Sequence, residues 1–426
     1  MSIRIRRCIA ALVALVAFTA RAQTPLSLNE AVRLAEARSL QLVAQDAAAL
    51  ASREMGGAAG RLPDPVLKAG INNLPVNGAD RFSLTRDFMT MRSVGVSQEF
   101  TRGDKRAARS DRFEREAQVA EAGRALALAN LQRDTALGWL ERHYRERMRD
   151  LLAAQRDEAR LQVEAADSAY RGARGTQADA FAARSAVALL DDGLAQNARE
   201  IASATTQLAR WLGDAARRPF AAPPALDSVP LAPAALEAQL AHHPRIAMLQ
   251  AQEEVARADA AIARTNQRAD WSAEVTYSQR GPSYSNMVSV NISISLQWDA
   301  ARRQDREVAA RLAGVEQARA QREDALREHV AEAETMLQQW RSDLDRLARY
   351  DVALLPLAAE RSRAALATYR GGNSSGSAGG TGLGSVLEAR RAELDTRLER
   401  LRLELDAARL WAQLNYLSPV RVAELP

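Results

Sequence analysis

Alternating apolar and polar positions predict two pairs of short β-strands in this chain. The longest pattern covers residues 288–298, where every second side chain is apolar: Val288, Val290, Ile292, Ile294, Leu296 and Trp298. Residues 271–279 and 93–100 alternate in the same way, and a fourth strand is predicted near residues 66–74. A strand with one apolar and one polar face fits between lipid and a water-filled lumen. A soluble sheet with one solvated face is the alternative.

A second pattern, with apolar residues at alternating steps of four and three, predicts very long helices. The seam in the second half of the chain is Leu326, Val330, Ala333, Leu337, Trp340, Leu344 and Leu347. The same spacing occurs in the first half at Leu137, Leu140, Tyr144 and Leu151. The predicted helices cover residues 103–169 and 301–368, and about 68 residues at ~1.5 Å each reach roughly 100 Å. Such a length indicates a structure that bridges a compartment, since compact domains have far shorter helices.

The order of these elements occurs twice, which indicates an internal repeat. We expect a first repeat at residues 23–218, a proline-rich linker at 219–232, a second repeat at 233–418 and a C-terminal tail at 419–426. Each repeat begins with a helix, predicted at 28–59 and 233–268. Two strands, a long helix, a glycine-containing loop and a last helix follow. The second loop is about seven residues longer, because it contains a Gly/Ser-rich stretch at 372–384.

The first 22 residues are typical of a cleaved secretory signal. Three arginines within residues 4–7 precede an apolar stretch too short to span a bilayer, and residues 20–22 have the small-x-small pattern of a cleavage site. Cleavage there removes the only cysteine, Cys8, and four arginines, so the formal net charge falls from +5 to +1. This balance gives no support for nucleic-acid binding. No later apolar run is long enough for a spanning helix, so the strands would have to make any membrane contact.

The strand-to-helix junctions and the two loops resemble those of the TolC, or outer membrane factor, family. The junctions are Val-Gly-Val-Ser-Gln-Glu-Phe at 94–100 with Gly-Asp-Lys-Arg at 103–106, and Ser-Ile-Ser-Leu-Gln-Trp-Asp at 293–299. Each loop begins with Tyr-Arg-Gly, at 170–172 and 369–371, and Ala-Arg follows at 183–184 and 389–390. The resemblance covers residues 26–419.

Four strands cannot close a barrel, and the strand count alone allows two or three copies. The resemblance implies a fold that is mainly α with a membrane β-barrel: a homotrimer with four strands per chain in a twelve-stranded barrel, and long coiled-coil helices that form a periplasmic tunnel. It also implies a passive duct without a cofactor or catalytic residues. Such a duct sits in outer-membrane lipid and works with a periplasmic adaptor protein and an inner-membrane pump of the resistance-nodulation-division type.

In this family the two loops form the periplasmic end, where the adaptor docks and the tunnel narrows. The resemblance places that end at residues 170–184 and 369–390. It implies an aperture lined by Ser385 and Glu388, with Asp179 at the corresponding place of the first repeat. Alternatively, Glu388 and Asp179 lie in the first turn of their helices and complement the helix dipole. The implied adaptor contacts are Tyr170, Gly172, Arg184, Tyr369, Gly371 and Arg390.

Several segments resemble the branch of the family that serves heavy-metal efflux pumps for copper, cobalt, zinc or cadmium. They are residues 62–65, 73–75, 82–91 and 97–100. Met89 and Met91 could offer thioethers to a soft ion such as Cu(I), but packing in the loop between two strands is the simpler interpretation. The four histidines lack metal-ligand spacing, and we expect no metal site.

Other functions stay open at this point. The same tube could serve multidrug efflux or the secretion of a peptide or protein. A periplasmic coiled-coil scaffold without a pore would explain the helices but not the alternating strands. An enzyme is the least supported class, because the sequence has no Gly-rich phosphate loop, nucleophile elbow or clustered acid–base pair.

Overall fold

The computed structural model describes residues 24–173, 175–370 and 383–420. The predicted signal at residues 1–22, most of the Gly/Ser-rich stretch and residues 421–426 lie outside the described residues. Contacts divide the described chain into two compact units. The helical unit contains the residues up to Leu40, Leu128–Leu236 and those from Val330 onward, and the sheet unit contains Gln41–Ala127 and Glu237–His329. Both units therefore draw residues from both predicted repeats.

Four strands form one antiparallel sheet in the sheet unit. They are β1 (Val66–Asn72), β2 (Met91–Phe100), β3 (Trp271–Gln279) and β4 (Met287–Ile294), in the order β1-β2-β3-β4. β2 and β3 come from different repeats and pair from Arg92 with Gln279 to Phe100 with Trp271. β1 and β4 are the edges of the sheet, and neither has a further partner among the described residues.

All four predicted strands are present, but β4 is shorter than its alternation indicated. It ends at Ile294 and not at Trp298. Ile294 pairs with Trp271, the first residue of β3, so the next residues have no β3 residue to bond. Trp298 is 87% exposed. The alternating pattern therefore continues past the point where hydrogen-bonded pairing stops.

Within the described residues there are nine α-helices. They are α1 (Leu28–Arg38), α2 (Leu40–Ala59), α3 (Gly103–Arg171), α4 (Gln177–Leu212), α5 (Leu236–Leu240), α6 (Pro244–Thr265), α7 (Gln304–Arg349), α8 (Leu355–Arg370) and α9 (Leu383–Asn415). α3 has 69 residues, which corresponds to about 100 Å. The predicted heptad seam of α7 is buried at Ala333, Leu337 and Trp340. Among the described residues, no helix has an apolar stretch that could cross a membrane.

The first helix of each repeat is interrupted, where the sequence predicted a single helix. The helix at 28–59 breaks at Ser39, whose backbone is extended. The helix at 233–268 consists of a short 3-10 turn, α5 and α6. The break occurs because Pro244 has no N–H to continue the preceding turn and is well suited to a first helical position. His243 caps α6 by accepting a hydrogen bond from Arg245 N on its Nδ1 atom, at 3.1 Å.

The long helix of the second repeat is also less regular than predicted. It starts at Gln304, after a 3-10 turn at Ala300–Arg302, and not at residue 301. At Tyr350–Leu354 it passes through a π-helical turn between α7 and α8. A π turn holds one more residue than an α turn and changes which side chains face outward. Val352 in this turn is 80% exposed.

The core of the helical unit is organised around Trp139 on α3. Its side chain is fully buried and stacks on Phe220 and His143, with ring centroids 5.0 Å and 5.3 Å away. Its Nε1 atom donates a hydrogen bond to the Leu26 carbonyl, at 3.1 Å. Leu26 also forms an isolated parallel bridge with Phe220. This cluster therefore fixes the start of the described chain and the beginning of the proline-rich linker to α3.

The C-terminal segment is bound to the same unit by buried polar groups. The Gln132 side chain exchanges two hydrogen bonds with the Val420 backbone, both at 2.9 Å. The Trp411 indole donates to the Ser228 carbonyl, at 2.8 Å. These contacts hold α9 and the residues after it against α3 and the linker.

Candidate functional site

One face of the sheet is apolar across all four strands. Two neighbouring rows in the middle of the sheet are Leu67, Val96, Val275 and Val290, then Ala69, Val94, Tyr277 and Val288. Polar side chains on this face lie outside those rows, at Arg92, Gln98 and Gln279. Leu67, Val275 and Val290 are 72%, 51% and 66% exposed in the single chain. A continuous exposed apolar face of this kind is typical of a surface covered by lipid or by another protein.

The opposite face of the sheet is polar and consists mainly of small side chains. Its members include Ser93, Gly95, Ser97, Ser272, Thr276, Ser289, Asn291 and Ser293. Lys68 on β1 forms an ion pair with Glu274 on β3, with Nζ 2.6 Å from Oε2. Thr276 donates a hydrogen bond to the other carboxylate oxygen, at 3.1 Å. This face suits contact with water, so the two faces of the sheet are suited to different environments.

The first candidate tip lies where α3 turns into α4. Ala173 has a positive φ of 56°, and its N–H bonds to the Tyr170 carbonyl at 3.1 Å, which closes the turn after α3. Thr176 caps α4 and forms a capping box with Asp179. The Asp179 carboxylate accepts hydrogen bonds from the Thr176 N–H at 3.0 Å and the Thr176 hydroxyl at 2.7 Å. Asp179 thus lies in the first turn of α4 and takes part in its capping box.

Side chains from both tips meet in one small cluster of the helical unit. Ala166 on α3 and Ala180 and Ala183 on α4 are buried, and Tyr369 of α8 and Leu387 of α9 pack against them. Alanine at these positions permits the helices to approach closely. The structure therefore brings together the helix ends that flank the loops of the two repeats, which are about 200 residues apart in the sequence.

The second-tip candidates Ser385 and Glu388 lie in the first two turns of α9. Glu388 is the more open of the two, with 77% of its side chain exposed. Its closest cation is Arg361 on α8, at 3.7 Å, which is a loose ion pair. Glu388 also lines a groove of about 510 Å³ between α3, α4 and α9, together with Leu152, Leu189 and Leu394. Its carboxylate is therefore exposed and only loosely paired, whereas that of Asp179 is hydrogen-bonded within the capping box.

The predicted adaptor contacts differ in their exposure and in their partners, and Arg184 is exposed although it forms an ion pair. Tyr170 is 49% exposed, and Gly172 is also on the surface. Arg184 contacts both carboxylate oxygens of Asp167 at 3.0 Å. Arg390 pairs with Glu158 on α3 at 3.1 Å. Gly371 lies outside the described residues, and Tyr369 is partly buried and packs against the alanine cluster.

A polar network joins the π-helical turn to α9 and α3. Asp351 in the turn contacts Arg400 on α9 through both oxygens, at 2.6 Å and 3.1 Å. Arg400 also bonds Glu404, which accepts hydrogen bonds from Tyr144 at 3.2 Å and Arg147 at 3.1 Å. The bond from Arg400 lowers the pKa of Asp351 below its usual value. Burial raises the pKa of the Tyr144 hydroxyl, so Tyr144 donates as a neutral phenol.

The histidines have structural contacts that the sequence did not indicate. His143 stacks on Trp139, and burial lowers its pKa. His243 and His329 are buried against each other with ring centroids 4.1 Å apart, although 86 positions separate them. Met89 is 45% exposed in the loop before β2, and Met91 is the first residue of β2. No cluster of three or more metal-ligating residues occurs in the part of the chain that the structure describes.

Comparison with known proteins identifies the fold. No family profile and no curated protein matches this sequence. A membrane protein from Pseudomonas aeruginosa matches the structure with a TM-score of 0.76 and 17% identity, over 92% of this chain and 93% of its own. The outer-membrane channel OprN has a TM-score of 0.74 and 16% identity, over 92% and 90% of the two chains. The outer membrane protein VceC from Vibrio cholerae has a TM-score of 0.73 and 19% identity, over 92% and 95%. This protein therefore has the TolC-like fold, mainly α with long helices and a small four-stranded sheet per chain, as the sequence predicted.

Proposed function

We propose that three copies of this chain form a passive efflux duct through the bacterial outer membrane. The observation that carries the proposal is the sheet, which has one exposed apolar face, one polar face and two open edges. In a bilayer every strand edge must be paired, because lipid offers no hydrogen bonds to a free backbone. Three sheets of four strands joined edge to edge form a closed twelve-stranded barrel, with the apolar face toward lipid and the polar face toward the lumen.

The resemblance in sequence and the likeness in fold both support a role in a tripartite efflux system. The partners we propose are a periplasmic adaptor protein and an inner-membrane pump of the resistance-nodulation-division type. The strands lie in the outer membrane and the long helices extend into the periplasm. The work of transport is done by the pump, so this chain needs no catalytic residue or cofactor.

We place the adaptor contact and the aperture at the two tips. Tyr170, Gly172 and Arg184 offer exposed surface, and the half-buried Arg390 pairs with Glu158 on α3. Glu388 is the better aperture candidate of the two carboxylates, because the capping box already occupies Asp179. Three copies of Glu388 around an axis would attract cations and repel one another.

The cargo we propose is heavy-metal cations, on the basis of the sequence segments that resemble the metal-efflux branch. A duct does not need a tight metal site, since tight binding slows release. Deletion of the gene in the bacterium that encodes it should lower the tolerated concentration of copper, cobalt, zinc or cadmium several-fold. A lowered tolerance of hydrophobic drugs with unchanged metal tolerance would instead assign multidrug efflux.

Extraction and conductance test the duct itself. Membranes from cells that export the full chain are washed with high salt and then with detergent, and the detergent extract is analysed for mass and for channel activity in a planar bilayer. We expect release by detergent only, the mass of a trimer and stepwise conductance. Release by high salt, without conductance, would refute the duct and favour a coiled-coil scaffold.

The aperture is tested by two matched carboxylate substitutions. Glu388→Ala should reduce the preference of the channel for cations, because it removes three negative charges from the proposed ring. Asp179→Ala should leave the ion preference unchanged and lower thermal stability, since its carboxylate bonds Thr176 at the start of α4. An equal effect of both substitutions on ion preference would contradict the assignment of Glu388.

A further inference from the structure

The charges on the polar face of the sheet are few and close to balanced. Three charged side chains lie on this face in the described strands, namely Lys68, Glu99 and Glu274. Lys68 and Glu274 neutralise each other at 2.6 Å. The other side chains of the face are mostly hydroxyls and amides. This one ion pair therefore decides whether the middle of the face is neutral or carries a net charge.

The pair reaches across a complete strand. Lys68 on β1 is level with Gly95 on β2 and Thr276 on β3, and Glu274 is the next residue of β3 on the same face. β1 and β3 are about 9.6 Å apart, twice the usual strand spacing. Gly95 has no side chain, so the path between the two strands is free of side-chain atoms at this position. A Cβ at position 95 would lie only 2.5 Å from the Thr276 hydroxyl oxygen. Lys68 is one of only two lysines in the chain, whereas the other 56 of its 58 basic residues are arginines.

Stability does not account for this contact. The Lys68 and Glu274 side chains are 51% and 27% exposed, and ion pairs with such exposure add little to the stability of a fold. Their effect on local charge is much larger. Without Lys68, the Glu274 carboxylate would face the water with no cation beside it in the described strands.

We propose that the Lys68–Glu274 pair sets the ion selectivity of the membrane part of the pore, by cancelling a ring of Glu274 carboxylates. The proposal rests on the function proposed above, in which the polar face lines the lumen. Charged rings in a lumen tune selectivity through their electrostatic potential. The intact pair thus keeps this level of the pore neutral. Loss of Lys68 would make its net charge negative, and loss of Glu274 would make it positive.

Reversal potentials across a planar bilayer with unequal KCl concentrations measure the effect. Lys68→Met should raise the cation-to-anion permeability ratio, and Glu274→Gln should lower it. For three charges roughly 12 Å from the axis of a twelve-stranded barrel, the change is about threefold at 0.1 M salt and about tenfold at 0.01 M. The double variant with Lys68→Met and Glu274→Gln should have the wild-type permeability ratio. Lys68→Arg should also have the wild-type ratio, because it keeps the positive charge.

A thiol provides a second test that does not depend on comparing separately folded variants. No cysteine occurs after residue 8, so Lys68→Cys gives one reactive position in the exported chain. Reaction of that thiol with a cationic methanethiosulfonate reagent should restore the wild-type permeability ratio within one recording. Reaction with an anionic reagent should raise cation selectivity further.

The outcomes separate this inference from the duct itself. If wild-type protein does not conduct, the proposed function fails and the inference fails with it. If wild-type protein conducts but the ratio is the same in Lys68→Met, Glu274→Gln and the reagent-treated thiol variant, the duct stands and the pair has no role in selectivity.

Discussion

The orientation of the sheet can be tested with two adjacent residues of β4. Val290 lies on the apolar face in a central row, beside Val275, and Ser289 lies on the polar face beside Thr276. Both are exposed in the single chain. Replacing either with lysine adds the same charge to the same strand. The two substitutions therefore differ in the face that receives the charge.

The expected penalty follows from the environment of each face. Lysine on the lipid side near the bilayer midplane costs about 2–4 kcal/mol, whereas substitutions on the lumen side are tolerated. Val290→Lys should thus destabilise the assembled protein by that amount per copy, and by roughly 6–12 kcal/mol for three copies. Ser289→Lys should assemble as wild type does and shift the pore toward anions.

The measured quantity is the amount of trimer that survives in detergent. The outer-membrane fraction is solubilised, and the amount of trimer is measured by native electrophoresis over a series of urea concentrations. We expect Val290→Lys to lose trimer at a much lower urea concentration than wild type or Ser289→Lys. If Ser289→Lys were as disruptive as Val290→Lys, or if neither had an effect, the assignment of the apolar face to lipid would be wrong.

Three further predictions concern the helical unit. Trp139→Ala should lower the free energy of unfolding by about 3–5 kcal/mol, because it leaves a cavity at a fully buried position. Unfolding followed by circular dichroism measures this loss. Thr176→Ala should cost about 1 kcal/mol through loss of the cap of α4, and Thr176→Ser should recover most of it in the same assay. The pKa of Asp351 is lowered in the folded protein, so its bond to Arg400 stabilises the fold at any pH above the ordinary carboxyl pKa. This contribution is lost as the pH falls below about 4, because the carboxylate is then protonated. The melting temperature of Asp351→Asn should therefore depend less on pH in that range than that of wild type, and parallel curves would contradict the role of the contact.

The repeated elements were predictable because each has a strong local period. The alternation at residues 271–279 gave β3 its observed bounds, Trp271–Gln279. The end of β4 was not predictable from the same signal, because it depends on where β3 begins. An edge strand such as β4 ends where its single neighbour ends, and alternation in one segment contains no information about the length of another.

The π-helical turn corresponds to one extra residue in the sequence of the second repeat. Phe100 and Tyr170 are 70 positions apart, but Trp298 and Tyr369 are 71 apart. The segment between these aromatic residues is therefore one residue longer in the second repeat, and a π turn at Tyr350–Leu354 accommodates such an insertion. The difference in spacing indicates that one residue is inserted, but it does not indicate where.

The candidate tip was predicted in outline and not in its contacts. The sequence indicated which residues lie in the two loops and offered a first-turn position for Asp179 as one interpretation, whereas its capping box with Thr176 was found only in the structure. The pairs of Arg184 with Asp167 and of Arg390 with Glu158 join different helices, so their partners depend on packing. For the same reason the contact of His243 with His329 had no signal in either segment.

The two open edges of the sheet have a consequence for the genetics of this protein. In a closed ring each copy gives β1 to one neighbour and β4 to the other, so every copy takes part in two different joints. One copy with a faulty edge leaves the ring open even when its neighbours are intact. If equal amounts of normal and edge-defective chains mix at random, only about one-eighth of the rings contain three normal copies. Alleles that damage an edge without preventing export should therefore behave as dominant negatives, whereas deletion alleles should be recessive.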